Sequence, residues 1–251
     1  TSSSSTPKST KITPPLKAAQ RRNSVPSVKV KAIQTRTVMY CRIHNPARVA
    51  RMGRPRMFDE KSVLDAAVSE FRVHGFTDTS TEQLCEAAGV RRSTLYNTFT
   101  SKDELFVRAL QHYLETTSAA QREVLGDESL NGIESLHAYF DLMIEEEVCA
   151  AEDGHAAGCM AIGTRLTPDV ARRDDRIRRL LDQGLNNQLS ALSLAVRQGQ
   201  ADGSISKNVA PENAAQLIVS LVAGLRVMAQ AGRSPGDLRS MTSLGLTALL
   251  P

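Results

Sequence analysis

Residues 79–110 read TSTEQLCEAAGVRRSTLYNTFTSKDELFVRAL, and the punctuation of this stretch decides the fold. Thr79 and Ser80 offer hydroxyl caps, with Glu82 and Gln83 three residues beyond each. At that spacing a cap side chain and a side chain in the first turn satisfy each other's free backbone N–H groups. Leu84 and Ala88 make a buried pair, and Gly89 ends the helix where a left-handed residue is needed. A short helix over Arg92–Phe99 begins two residues after Val90. Ser101 with Glu104 repeats the capping pattern and opens a helix with Leu105, Phe106, Ala109, Leu110 and Tyr113 inward. Upstream, Asp59 caps a helix whose Val63, Leu64, Ala67, Val68 and Phe71 form one apolar stripe, ending at Gly75. Four helices within about 60 residues, with a tight glycine turn between the second and third, make a helix-turn-helix unit over about residues 80–99.

Composition bounds the rest. The 251 residues are 41% hydrophobic and 23% charged, so a soluble, mostly ordered chain is expected. Aromatic residues make up 4% and Trp is absent, which leaves an aliphatic core. The longest apolar run, Leu217–Leu225, stops at Arg226, far short of the ~20 residues a membrane helix needs. Cys41, Cys85, Cys149 and Cys159 lie far apart with no CxxC pair, which is not the pattern of a disulfide scaffold. A reducing bacterial cytoplasm, with residence at the nucleoid, is the expected location.

The net charge of +4 conceals a division. Residues 1–58 hold 13 Lys and Arg and no acidic residue, whereas the remainder is acidic on balance. Such asymmetry suggests a cationic arm that meets a polyanion. Residues 1–52, rich in Ser, Lys and Pro and lacking periodicity, read as a disordered basic tail. The same composition suits a transit peptide, or an over-extended reading of a chain that starts at Met52 or Met39. Over-extension is the expectation, with a real basic tail the next.

From Gly53 to Leu110 the sequence resembles the N-terminal DNA-binding domain of the TetR family of transcriptional repressors. The matching pieces are Gly75-Phe76, Thr79-Ser80, AAGV at Ala87–Val90, TLY at Thr94–Tyr96, Phe99, and SKDEL at Ser101–Leu105. The resemblance implies an all-α protein: a three-helix DNA-binding unit over residues 53–116, then a larger helical ligand-binding and dimerisation domain over 117–251. It makes the third helix the one that reads bases, so Arg92, Ser93 and Thr94 are the base-edge candidates, with Asn97 farther along. An Arg can pair bidentately with guanine O6 and N7. Arg91 is expected on a phosphate, as are Tyr96 and Lys102. Ser80 and Thr81 open helix two, where free N–H groups favour an anion. Arg54 and Arg56 resemble the basic arm of many relatives and suit a narrow minor groove; a solvated leader is the equal alternative. Two departures stand out: Arg91 replaces a hydroxyl cap common in the family, and Ser93 a frequent Gly or Pro. Both make the operator sequence unpredictable from relatives.

Farther along, helices are expected over Ser129–Ala150, near Ala156–Thr164, over Pro168–Gln200, from Pro211 through Met228, and over Pro235–Leu250. The acidic trio Glu145–Glu147 and the cluster Arg172–Arg179 both read as solvated helix faces. The resemblance places a small-molecule pocket among the middle helices, with Phe140, Met143, Ile144, Cys159, Met160, Ile162 and Arg165 as candidate linings. It also implies a homodimer through the last two helices, for which Leu217, Leu221, Leu225, Leu238, Met241 and Leu249 are candidates. A two-fold dimer calls for a near-palindromic operator.

Gly158-Cys159-Met160 resembles a motif of one branch of the family, which opens the alternative of a thiol-based redox or electrophile sensor. An enzyme is the rival class: no His pair has metal-ligand spacing, and GxSxG, P-loop and GxGxxG are all absent. A protein that coats DNA through the basic tail is a further rival. The expectation is a regulator that is not an enzyme, needs no cofactor or metal, and binds duplex operator DNA, a small effector and a second copy of itself.

Overall fold

A computed structural model describes residues 59–152 and 158–251. The basic tail, Arg54 and Arg56 lie outside the described residues. Ten α-helices account for most of the described chain: α1 Glu60–Asp78, α2 Thr81–Ala88, α3 Arg92–Phe99, α4 Lys102–Leu125, α5 Gly132–Glu152, α6 Met160–Arg165, α7 Pro168–Ala171, α8 Asp175–Asp202, α9 Pro211–Gln230 and α10 Pro235–Leu246. A 3-10 turn, Thr247–Leu249, follows the last.

The caps explain the first four. Asp59 accepts from the Ser62 backbone N–H, and Ser80 forms a reciprocal box with Gln83. Gly89 closes α2 at φ 65°, a left-handed conformation that only glycine adopts without strain. Ser101 accepts from the Glu104 N–H at the start of α4. Gly75, at φ 74°, breaks the helical path near the end of α1, as expected from sequence, although the last turn resumes beyond it. Thr79 is buried instead of capping and donates its hydroxyl to the Gly75 carbonyl at 2.6 Å. Between α3 and α4 the chain reverses through a γ-turn: Thr100 sits at φ 55°, ψ −41°, and the Ser101 N–H reaches the Phe99 carbonyl.

Three later expectations are corrected. Helix α5 starts at Gly132 and not at Ser129, because Asn131 and Glu134 form the capping pair while Ser129 bonds to Asp127. The expected helix from Pro168 to Gln200 is two helices. Asp174 accepts from the Arg176 N–H and restarts the chain as α8, so Val170 and Ile177 both turn inward. The trio Glu145–Glu147 is not a solvated face, since Glu146 and Glu147 are buried.

Two cores result. One gathers α1 to α4 around Phe71, Leu84, Leu95, Phe99, Phe106 and Leu110. Phe106 meets Phe71 and Phe76 edge-on at ring separations of 5.0 Å. Met160, Val170, Ile177 and Leu181 from α6, α7 and α8 complete this core, so the helix-turn-helix unit is closed by the C-terminal half of the chain. The other core packs the second half of α4, α5, α8, α9 and α10 around Leu136, Tyr139, Ile144, Leu192 and Ile218. Each such side chain, fully withdrawn from water, contributes ~1.5–3 kcal/mol before entropy is charged against it. Helix α4 runs through both cores and past residue 116 without a break.

Candidate nucleic-acid interface and effector cavity

Helix α3 buries one face and exposes the other. Leu95 and Phe99 point into the core, which turns Ser93 and Asn97 to the opposite side, both exposed; Arg92, one turn before Leu95, is exposed at the helix start, and Thr94 and Tyr96 are half-buried on the flanks. The start of the helix has no side-chain cap, because Arg91 stands where a hydroxyl would serve. Its first N–H groups therefore have no side-chain acceptor among the described residues, beside three consecutive residues Arg91, Arg92 and Ser93, all exposed. Free N–H groups and cations at one helix start favour an anion.

The remaining candidates gather around this helix. The Thr81 hydroxyl lies 3.2 Å from the Tyr96 hydroxyl, bringing the start of α2 against the middle of α3. Ser80 is occupied as the cap of α2. The Arg92 guanidinium lies over the Tyr96 ring at 5.5 Å and donates to Glu82 at 2.7 Å. Both partners of that ion pair are exposed, so it holds Arg92 only weakly. Lys102 sits over the Phe76 ring at 4.5 Å, with its ammonium 3.5 Å from the Thr77 carbonyl. Partial burial lowers its pKa.

Phe76 is the hinge of a second arrangement. Arg173 also lies over this ring, at 4.8 Å, and pairs with Asp103 at 2.9 Å, while Arg176 pairs with Glu104 at 2.8 Å. Two arginines of the cluster, both still exposed, thus tie the α7–α8 corner to the first turn of α4, next to Lys102. Arg172 with Asp169, Arg178 with Asp175, and Arg176 with Asp174 also make local surface pairs.

Behind the helix-turn-helix unit lies a cavity of about 250 Å³, lined by α4, α5, α6, α8 and α9. Leu114, Ile162, Leu181, Leu185, Val219 and Val222 make most of its wall apolar. Of the sequence candidates, Met143, Cys159, Ile162 and Arg165 line it, whereas Phe140, Ile144 and Met160 are packed into the two cores beside it. Sequence reading missed Tyr113, Thr117, Gln121, Gln188 and Arg226, which supply its polar groups. Periodicity assigns Tyr113 to the core, where it is indeed buried while also lining the cavity, and an Arg in an apolar helix gives no local sign of what it faces.

A buried charge network forms one end of the cavity. Arg226 of α9 donates to Glu147, and to Glu146 at 2.5 Å, with all three nearly inaccessible. Burial opposes its charge, yet Glu146, Tyr113 and Glu147 hold its pKa well above the usual value. Arg72, on α1, meets Glu146 at 2.7 Å and donates its Nε–H to the Gly158 carbonyl at 2.9 Å. The Tyr113 hydroxyl lies 3.5 Å from Cys159 Sγ, and burial pushes its pKa far up. Among the described residues no three His, Cys, Asp or Glu side chains converge as a metal site would require, and no helix is long and apolar enough to cross a membrane.

The dimer candidates divide. Leu225, Leu238 and Leu249 are buried inside the subunit. Leu217 is exposed, and Leu221 and Met241 are half-buried. Val227, Met228 and Leu244, also on α9 and α10, add exposed apolar surface.

Comparison with known proteins agrees with this architecture. Residues 63–109 match the family model described as bacterial regulatory proteins, tetR family, and residues 132–243 match the tetracyclin repressor-like C-terminal domain. The HTH-type transcriptional repressor ComR of Escherichia coli K12 is 30% identical over 72% of this chain and 84% of its own length. The repressor DhaR of Mycobacterium sp. strain GP1 is 25% identical over 75% of this chain and 91% of its own. Among solved structures, a cysteine mutant of the TetR family regulator CifR, complexed with 26-base-pair operator DNA, superposes with a TM-score of 0.64 at 28% identity, over 78% of this chain and all of that one. With both halves matched in order, and with a helix-turn-helix unit closed by a helical C-terminal half, the chain belongs to the TetR family of transcriptional regulators.

Proposed function

We propose that the protein is a repressor that binds a palindromic operator as a homodimer and is released by a small molecule in the cavity behind its DNA-binding unit. The observation that carries this is the uncapped start of α3, with Arg91, Arg92 and Ser93 exposed together. Residues 53–116 act as the DNA-binding unit and 117–251 as the regulatory domain. Arg92, Ser93, Thr94 and Asn97 read base edges, and Arg92 leaves Glu82 for a base. Arg91, Tyr96, Lys102, Ser80 and Thr81 hold phosphates and fix register. Arg54 and Arg56 follow the minor groove. The protein acts on DNA in the cytoplasm, and it binds its effector without converting it.

Dimerisation uses the apolar surface of α9 and α10, with Leu217, Leu221 and Met241 joined by Val227 and Leu244, while Leu225, Leu238 and Leu249 support that surface from within. Release is allosteric. Arg226 lines the cavity and holds Glu146, and Glu146 meets Arg72 of α1. An effector that rearranges Arg226 therefore changes what anchors the DNA-binding unit, and a coupling of about 1–3 kcal/mol suffices to shift operator affinity.

Selecting duplexes from random DNA with the purified protein, then measuring affinity as salt is varied, tests the reading. Enrichment of a near-palindrome supports it, and recovery of unrelated sequences sinks it. A second reading is favoured by one observation, the Tyr113 hydroxyl 3.5 Å from the free thiol of Cys159 at the cavity wall. Under it, covalent modification of Cys159 by an electrophile is the signal. Cys159→Ser separates the two, since it abolishes an electrophile response and leaves a reversible ligand response in place.

A further inference from the structure

The inner cavity does not end at its apolar wall. A second chamber of about 300 Å³ lies between α4 and α8, nearer the surface. The two share Leu114, Ser118 and Gly184 as lining, so the wall between them is built from these three residues. Gly184 is what lets the helices approach here: a Cβ on it would stand 3.0 Å from Leu114 Cδ2, close enough that the leucine must shift. Their chemistry is opposite. The inner chamber is walled by aliphatic side chains such as Leu181, Leu185, Val219 and Val222. The outer one carries Gln111, Glu115, Arg122, Gln183 and Asn187.

The charges of the two chambers are not equal in standing. Arg226 is held by Glu146 and Glu147, and Arg165 by Asp182 at 3.0 Å. Glu115 accepts from the Gln111 amide at 2.8 Å. Arg122 has no ion-pair partner among the described residues. It stands four residues after Ser118, one helical turn along α4 from the shared wall, on the side of the amides Gln183 and Asn187.

We infer that the two chambers form one binding site for an amphipathic anion, with its apolar body in the inner chamber and its anionic head at Arg122 in the outer one. This deepens the effector reading above and rests on it for its regulatory meaning, though not for binding. An aliphatic wall gains from covering a hydrocarbon body. Arg122 stands two helical turns, about 10 Å, along α4 from Glu115, the one carboxylate of the outer chamber, and beside the amides of Gln183 and Asn187, so a carboxylate or similar head is favoured over a neutral one at the Arg122 end.

Decanoate and decan-1-ol, kept below their aggregation limits, are the probes, with calorimetry on the full-length dimer as the readout. Decanoate is expected to bind about three- to fivefold more tightly than the alcohol, the range of an exposed ion pair, with that preference fading in high salt. Arg122→Gln should erase the preference and leave decan-1-ol binding unchanged. Gly184→Leu should weaken both probes at least about tenfold, and Leu114→Ala in that background should restore part of the loss, which shows that the fold survives. No binding of either probe, or a preference that survives Arg122→Gln, overturns the inference. The same samples are titrated with the selected duplex. Loss of the probe pattern with duplex binding intact rejects this site alone, whereas absent duplex binding rejects the repressor reading and leaves a two-chamber anion site standing on its own titration.

Discussion

Arg72 and Glu146 lie 2.7 Å apart in the interior, one on the first helix of the DNA-binding unit and the other on α5 of the regulatory half. Neither side chain exceeds 4% exposure, and Arg226 shares the same carboxylate from α9. Such a cluster is costly to assemble, because each ion gives up its water. Once formed, it is also costly to break at one member.

Glu146→Ala should therefore destabilise the protein by about 3–5 kcal/mol, since two guanidinium groups lose a buried counter-charge. Arg72→Met combined with Glu146→Leu should lose clearly less than the sum of the single changes. Urea unfolding of the four proteins of the cycle measures this, and additive losses would mean that the pair is not coupled.

Removing the weak restraint on Arg92 should act on DNA binding and not on folding. Glu82→Gln deletes both the 2.7 Å ion pair and a negative charge beside the DNA-facing helix. Affinity for every duplex should rise, with thermal stability changed by less than about 1 kcal/mol. Arg92→Ala should lose discrimination among operator variants, whereas Lys102→Ala should weaken all duplexes alike and flatten the salt slope by about one. Footprints that stay unaltered in both variants would remove α3 from the groove.

Backbone conformation gives a cleaner pair. Gly89 stands at φ 65° with open space around the position a Cβ would take, so Gly89→Ala should cost about 1 kcal/mol through strain alone. Thr100→Gly should move the other way by a similar amount, because a threonine at φ 55° is strained and glycine is not. Melting temperatures that shift in the same direction for both would contradict this account.

Alkaline stability reports on Tyr139. Burial raises its pKa from 10 to about 12 in the folded state, so folding favours the protonated phenol. Below about 10 both states hold the proton and stability is complete; between 10 and 12 only the folded state holds it, so stability falls as pH rises. Tyr139→Phe should flatten that fall, at the cost of the hydrogen bond donated by Gln188 at 2.7 Å.

Leu244, 72% exposed on α10, belongs with Val227 and Met228 to the exposed apolar surface of α9 and α10 through which dimerisation is proposed. Leu244→Glu should shift the protein towards monomer by sedimentation and lower operator affinity without unfolding it. A dimer that persists unchanged would place the interface elsewhere.

The local steps of this fold were legible because their causes are local. A cap needs a side chain three residues from an N–H, and a helix stop needs a residue at home with positive φ; Ser80, Gln83, Gly89, Ser101 and Glu104 lie within reach of one another along the chain. The same holds for the exposed face of α3, which follows from Leu95 and Phe99 pointing the other way. Asp174 shows the limit of such reasoning. Its capping power was present in the sequence, but nothing nearby indicated that Arg173 and Arg176 would turn to Asp103 and Glu104 and bend the chain there.

What the sequence determined by itself, then, was the all-helical class, the capped helices of the DNA-binding unit and the family the chain belongs to. Tertiary structure alone decided the burial of Glu146 and Glu147, the lining of the cavity and the link from Arg226 to Arg72. The physical reason is distance along the chain. A glutamate reads as solvated until a cation arrives from another helix, and the free energy that keeps it inside exists only when α1, α5 and α9 come together.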